Sequence, residues 1–227
     1  MDPTQALLAD QVRYYRARAV DFDRTVYATD SDGTDRPKSP TEDERVVRDL
    51  GLSGEVLELA CGTGAWTQHL ASVADSVVAV DVAAEMIEFA RPKIATSNVT
   101  FVQADVFTWS PGRRFDAIFF AFWLSHVPPA LFGSFWERLA TMLGDGGRVV
   151  AIDELHARRD LEKNLTTENG LPVARRQLRD GTHHRLVKVF YGADELRTAL
   201  DHLGWRAEVR QLPRGLFLLE ATRVDRD

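Results

Sequence analysis

The chain has 227 residues, 44% of them hydrophobic and 27% charged, which is enough for one α/β domain with a full core and too little for two. Its formal net charge of −6 at pH 7 counts against a nucleic-acid partner, which would need a basic face. One cysteine, Cys61, excludes an internal disulfide and fits a reducing compartment. The opening stretch has an early acid and no continuous apolar core, so it does not read as a signal peptide. The most apolar run, 115–124, is too short to span a bilayer. A cytoplasmic protein with no membrane partner is expected.

Residues 1–20 read as a helix, and the polar, turn-rich stretch 28–40 as a loop. Thr41 and Glu44 have the capping-box spacing and predict a helix through Leu50. Apolar runs at 55–60, 76–81, 98–103, 115–122 and 147–153 then alternate with helical patterns at 65–73, 83–91 and 131–143. Near-continuous apolar strands between helices predict a parallel sheet covered on both faces. The rhythm then breaks. Residues 173–190 read as a hairpin around Asp180-Gly181, followed by a helix ending at Gly204. Two further runs, 205–213 and 215–224, are joined by a short turn and are expected to pair antiparallel.

The first apolar run ends in Ala60-Cys61-Gly62-Thr63-Gly64, a tight turn where backbone N–H groups can approach a ligand. Asp81 closes the next strand about 20 residues on, the distance at which a carboxylate receives ribose hydroxyls. A carboxylate repels phosphate, so an unphosphorylated ribose is indicated. The third small residue of a dinucleotide fingerprint is replaced by Thr67, beside Trp66, and no Gly-Lys-Ser/Thr follows. An adenosine ligand without pyrophosphate fits this pattern better than NAD or ATP.

The ordered set LELACGTG, Asp81, QADVF around Asp105, FDAIFFAFWLSHVP and LGDGGRVVAIDE resembles class I S-adenosylmethionine-dependent methyltransferases across roughly residues 50–222. YYRARA and FWLSHVPP are similar to bacterial small-molecule members of that class. The resemblance implies a Rossmann-like, seven-stranded, mostly parallel sheet with an antiparallel last strand and helices on both faces. It implies S-adenosylmethionine as cofactor and S-adenosylhomocysteine as product. Ala60, Gly62 and Gly64 would then line the methionine part, and Asp81 would hold the ribose. Val82, Met86, Asp105 and Val106 would meet the adenine, while Phe120 and Ala121 would lie near the reactive centre. Glu58 matches the leading acid of the motif.

Aromatic faces attract a sulfonium cation, which makes Tyr14, Tyr15, Trp66 and Trp123 candidates. Arg18 is placed to pair with the methionine carboxylate if the first helix closes over the cofactor. His126, just past the fourth strand, is the candidate general base, since its ordinary pKa suits proton removal at neutral pH. The acceptor is expected among parts outside the common sheet: residues 1–40 as a cover and the insertion 155–191 with its hairpin. Arg175, Arg176, Arg179, His183, His184 and Arg185 in that insertion read as a solvated charged face or as a site for an acidic substrate. His183-His184 lacks companions at metal-ligand spacing, so no metal is expected. The reading is a single-domain enzyme, monomer or homodimer, methylating oxygen or nitrogen of a small molecule. A methyltransferase for RNA or protein, or a cofactor-binding protein with a non-methylating role, remains the alternative.

Overall fold

In the computed structural model, which describes residues 2–26, 45, 48–162 and 164–224, the apolar runs become the strands of one sheet. These are β1 (Glu55–Leu59), β2 (Ser76–Asp81), β3 (Val99–Gln103), β4 (Phe115–Ala121), β5 (Leu143–Glu154), β9 (Trp205–Leu212) and β10 (Leu216–Arg223). The sheet order is β3-β2-β1-β4-β5-β10-β9. The first five strands pair in parallel, and β10 runs antiparallel to both β5 and β9, the arrangement expected from the sequence. The chain winds outward from β1 in one direction, then returns to place β4 on its other side. That reversal opens a crevice beyond the ends of β1 and β4.

Both faces are covered over the central strands, which is why β1, β2 and β4 are apolar at most positions. Helices α5 (Phe132–Met142) and α6 (Ala193–His202) bury Phe135, Trp136, Leu139, Leu196 and Leu200 against Leu57, Leu59, Ile118 and Phe120. Helices α3 (Thr67–Ala71) and α4 (Ala84–Ala90) bury Leu70 and Ile87 on the other face, against Val56, Val77, Ala79 and Phe119. Fully buried Trp136 and Trp205 meet edge to face at 5.1 Å, fastening α5 to the sheet edge.

The inserted region differs from the expected hairpin by one strand. β7 (Leu171–Gln177) and β8 (His183–Val187) pair around the Asp180-Gly181 turn, and β6 (Leu165–Glu168) adds to them as a third antiparallel strand. The turn between β6 and β7 is Asn169-Gly170, with φ of 51° and 78°, the left-handed pair that tight hairpins require. That dipeptide was the available signal. β6 lacks an apolar run because two of its four residues are exposed.

Helix α1 (Pro3–Arg18) is capped by Asp2, whose carboxylate accepts from Gln5 N at 3.3 Å. It lies on the small sheet, with Leu7 buried against Val173 and Val187. A short helix, α2 (Phe22–Val26), follows. The capping box at Thr41 and Glu44 and the loop 28–40 fall outside the described residues.

Candidate active site

At the end of β1 the backbone turns through Ala60, Gly62 and Gly64, with φ of 53°, 55° and 81°. Asp81, at the end of β2, holds this turn: its Oδ2 accepts from Gly62 N at 2.9 Å and its Oδ1 from Ala83 N at 2.8 Å. Burial raises the Asp81 carboxyl above its ordinary value, and the Ala83, Gly62 and Val82 N–H groups oppose that shift. At the end of β4, Phe122 is also left-handed, with φ of 53°. A non-glycine residue in this region costs about 1–2 kcal/mol, so strained backbone sits at the mouths of both central strands.

The turns surround a cavity of about 690 Å³, within the usual range for small-molecule sites. A Cβ built on Gly62 would meet nothing within 4 Å, so the space beside that α-carbon is open. Gly64 differs: its added Cβ would lie 3.0 Å from the Ala90 Cβ, so this glycine lets α4 pack against the turn. Asp23 of α2 bonds to the Thr63 hydroxyl and to Lys93, whose Nζ also donates to Thr63 O at 3.0 Å. The N-terminal helices are thereby tied to the glycine turn. Arg18 stacks over the Tyr14 and Phe22 rings at 5.5 and 4.9 Å.

A second group of buried polar residues gathers beyond β4 and β5. Asp153 is fully buried and accepts from Ser125 N and Glu154 N, each at 2.8 Å, which fixes the turn Leu124–His126. The His126 Nδ1 lies 2.7 Å from Val187 O and its Nε2 lies 2.9 Å from the Tyr15 hydroxyl. A carbonyl only accepts, so Nδ1 carries the proton and Nε2 accepts from Tyr15. Burial and the positive charge of Lys188 lower the His126 pKa to about 3. Burial also pushes the Tyr15 phenol up.

A family model described as a methyltransferase domain matches residues 56–147. A demethylmenaquinone methyltransferase of Lactococcus lactis subsp. lactis (strain IL1403) is 34% identical over 113 residues, covering 47% of this chain and 43% of that relative. The chain thus spans less than half the length of the first curated relatives it matches. A ubiquinone biosynthesis O-methyltransferase of Xanthomonas campestris pv. campestris (strain B100) is 30% identical over 192 residues, covering 75% of this chain and 73% of the relative. The solved structure of the DhpI-SAH complex is 37% identical, with a TM-score of 0.78 over 97% of this chain and 98% of that one. The chain belongs to the class I S-adenosylmethionine-dependent methyltransferases.

The residues present fit the family's cofactor on two observations: the open cradle beside Gly62, and an Asp81 carboxylate whose two oxygens each have acceptor capacity left after one backbone bond. In this methyltransferase Tyr14, Arg18, Ala60, Gly62, Trp66, Asp81, Val82, Met86, Asp105, Val106, Ala121 and His126 all line the one cavity. Two expected residues do not. Phe120 is fully buried against Phe135 and Trp136 on the α5 face of the sheet, and Phe122 lines the cavity in its place. Gly64 faces Ala90 and shapes the turn without lining the space. Asp105 accepts from Phe107 N at 2.9 Å, so it also caps its own turn.

His126 also lines the cavity, with both ring nitrogens engaged and a pKa lowered by burial, which makes it a weak base. Glu154, Glu162 and Lys188 carry no functional signal in the sequence, and Arg176 reads there first as part of a solvated charged face. All four line the cavity. Charged residues in an insertion give no local signal of which way they point.

Glu58 sits under the glycine turn, fully buried, with its Oε2 accepting from Thr67 Oγ1 at 2.6 Å. Burial lifts its pKa from 4.5 to about 8. Between those values the folded chain holds a proton that the unfolded chain has released, so Glu58 makes stability fall as pH rises through that window. Glu58→Gln removes this dependence. Urea unfolding at pH 6 and pH 9 is expected to show the wild type losing stability relative to the variant, and a constant difference would refute the assignment.

Proposed function

We propose that this methyltransferase moves a methyl group from S-adenosylmethionine to an oxygen or nitrogen of a small-molecule acceptor. The observation that carries the reading is a continuous cavity that joins the glycine turn and Asp81 to the inserted sheet. When bound, the cofactor supplies a methyl group already activated on a sulfonium. Asp81 accepts the ribose hydroxyls, Gly62 and Ala60 leave room for the methionine portion, and Val82, Met86, Asp105 and Val106 hold the adenine. Tyr14 and Trp66 offer aromatic faces toward positive charge. The chain's remaining task is to align the acceptor, and orientation of this kind contributes on the order of 7–11 kcal/mol. His126 serves as a positioning residue: it holds Tyr15, and through it α1, against the acceptor side of the cavity.

Residues 1–40 act as a cover and 155–191 supply acceptor contacts, all within one domain. The enzyme works in the cytoplasm as a monomer or homodimer, without nucleic-acid or membrane partners. No helix among the described residues is long and apolar enough to cross a membrane. Labelled S-adenosylmethionine incubated with phenols, amines and heteroaromatics is expected to label at least one of them. Labelling of RNA or protein alone would favour a macromolecular acceptor, and cofactor binding without transfer to any class would favour the non-methylating reading.

The cover has its own test. Hydrogen exchange is expected to slow in α1 and β8 when S-adenosylhomocysteine is added. The Asp23–Thr63 bond and the Tyr15–His126 bond tie the helices to both halves of the cavity. Unchanged exchange in both segments would show that the cover does not respond to the cofactor.

A further inference from the structure

Resting on the methyltransferase reading, we propose that the Phe122 ring, with Trp66 beside it, faces the sulfonium of S-adenosylmethionine and makes the site prefer the charged methyl donor over its neutral product. Phe122 lines the cavity, is 39% exposed, and is held with φ of 53° at the exit of β4. Its N–H donates to Ile152 O at 2.7 Å, which carries the β4–β5 ladder one residue further and keeps the left-handed backbone in place. Glycine would adopt this turn without strain. A phenylalanine here costs conformational energy and leaves an aromatic face uncovered, a combination that gathers at ligand sites.

The order of the strands places the ring relative to the cofactor. In the proposed binding mode Asp81, at the end of β2, takes the ribose, and the glycine turn, at the end of β1, takes the methionine portion. β4 is the next strand on the far side of β1. A sulfonium sulfur has three carbon substituents, and two of them lead to the ribose and to the methionine portion. The third, the methyl group, is left to point from β1 toward β4, whose exit carries Phe122. Trp66 follows the glycine turn, and its ring lies 6.5 Å from that of Phe122 with the planes 38° apart. Phe119, 5.7 Å from Trp66, braces it from within the sheet. One aromatic side chain from each central strand exit thus meets at the crevice.

The faces of an aromatic ring are negative and attract a cation within about 6 Å. Other rings at the cavity already have partners: Arg18 stacks over Tyr14 and Phe22, and the Tyr15 hydroxyl donates to His126. Among the described residues no arginine or lysine stacks on Trp66 or Phe122. Before transfer the sulfur has three bonds and a positive charge. As the methyl carbon bonds to the acceptor, the carbon–sulfur pair stays on sulfur, which becomes a neutral thioether. The attraction to the rings ends with that step. The product has lost a contact that a fresh methyl donor regains, which favours exchange of one for the other.

The test is titration calorimetry of the full chain with S-adenosylmethionine, S-adenosylhomocysteine and sinefungin, in which an amine-bearing carbon replaces the sulfonium. Phe122→Leu keeps an apolar side chain and removes the π face. It is expected to weaken both cationic ligands about 5- to 30-fold while S-adenosylhomocysteine affinity stays within about twofold of wild type. Phe122→Tyr, which keeps a π face, is expected to retain the wild-type ratio of affinities. Phe122→Gly, which suits the left-handed backbone, is expected to lose the ratio as leucine does and keeps the test open if the leucine variant misfolds. An unchanged ratio in the leucine and glycine variants, whether all three affinities fall together or none does, would overturn the proposal. A wild-type chain that binds none of the three ligands would instead overturn the methyltransferase reading beneath it.

Discussion

Replacing Asp81 by alanine is expected to weaken binding of S-adenosylmethionine and S-adenosylhomocysteine by about 1–3 kcal/mol, roughly 5- to 150-fold. The carboxylate has two jobs. It fixes the glycine turn by accepting from Gly62 N, and the β2–α4 turn by accepting from Ala83 N. Its remaining acceptor capacity faces the cavity, where ribose hydroxyls would donate. Alanine removes both jobs together. Asp81→Asn separates them only in part, because an amide has one acceptor oxygen and keeps a single turn bond at most. Its affinity is therefore expected to lie between wild type and alanine. Titration calorimetry with S-adenosylhomocysteine gives the answer, and an unchanged dissociation constant for the alanine variant would remove Asp81 from the cofactor site.

The second large effect concerns His126→Ala, expected to lower stability by about 2–4 kcal/mol at pH 8. The ring joins three segments distant in sequence: α1 through Tyr15, β8 through Val187 O, and the turn after β4 that carries it. Gln11 reinforces the same junction, accepting from Val187 N at 3.1 Å and donating to His126 O at 3.4 Å. Truncation leaves the Val187 carbonyl and the Tyr15 hydroxyl without these partners.

The pH dependence has a definite sign. The folded pKa is about 3 and the unfolded value 6.5, so between them the unfolded chain binds a proton that the folded chain does not. The contribution of His126 is complete above pH 6.5 and shrinks as pH falls through the window. The deficit of the variant is therefore expected to be smaller at pH 5 than at pH 8 in urea unfolding. Turnover discriminates the two roles of this residue. A base would give a loss that fades as pH rises toward the acceptor's own pKa, whereas a clamp gives a loss that is flat above neutrality.

Much of the cofactor side was legible in the sequence because its geometry is local. A strand, a two-glycine turn and an acid one strand later form a single βαβ unit, so about 20 residues of spacing fix which backbone N–H groups meet which carboxylate. The largely apolar character of β1, β2 and β4 follows from burial on both faces, and it specified the parallel sheet without any tertiary information. The antiparallel ending was equally readable, since the short Pro213–Gly215 connection permits only a reversal.

What lay beyond local spacing was decided by the tertiary structure. Strand alternation puts Phe119 and Phe120 on opposite faces but does not say which residue turns toward the crevice at the strand end. The left-handed backbone of Phe122 settles that and leaves Phe120 in the core. Tyr15 and His126 are 111 positions apart, and Lys188 and Ser125 are 63 apart, so no periodicity could pair them. A histidine after β4 looks like a base in the sequence. Folding buries it between a carbonyl and a phenol, next to a lysine, which lowers its pKa and weakens it as a base. Arg176 reads in the sequence as part of a solvated charged face, and the inserted sheet places it at the cavity wall, paired with Glu162. Backbone spacing fixed the cofactor turn, while long-range burial fixed the partners of His126 and Lys188.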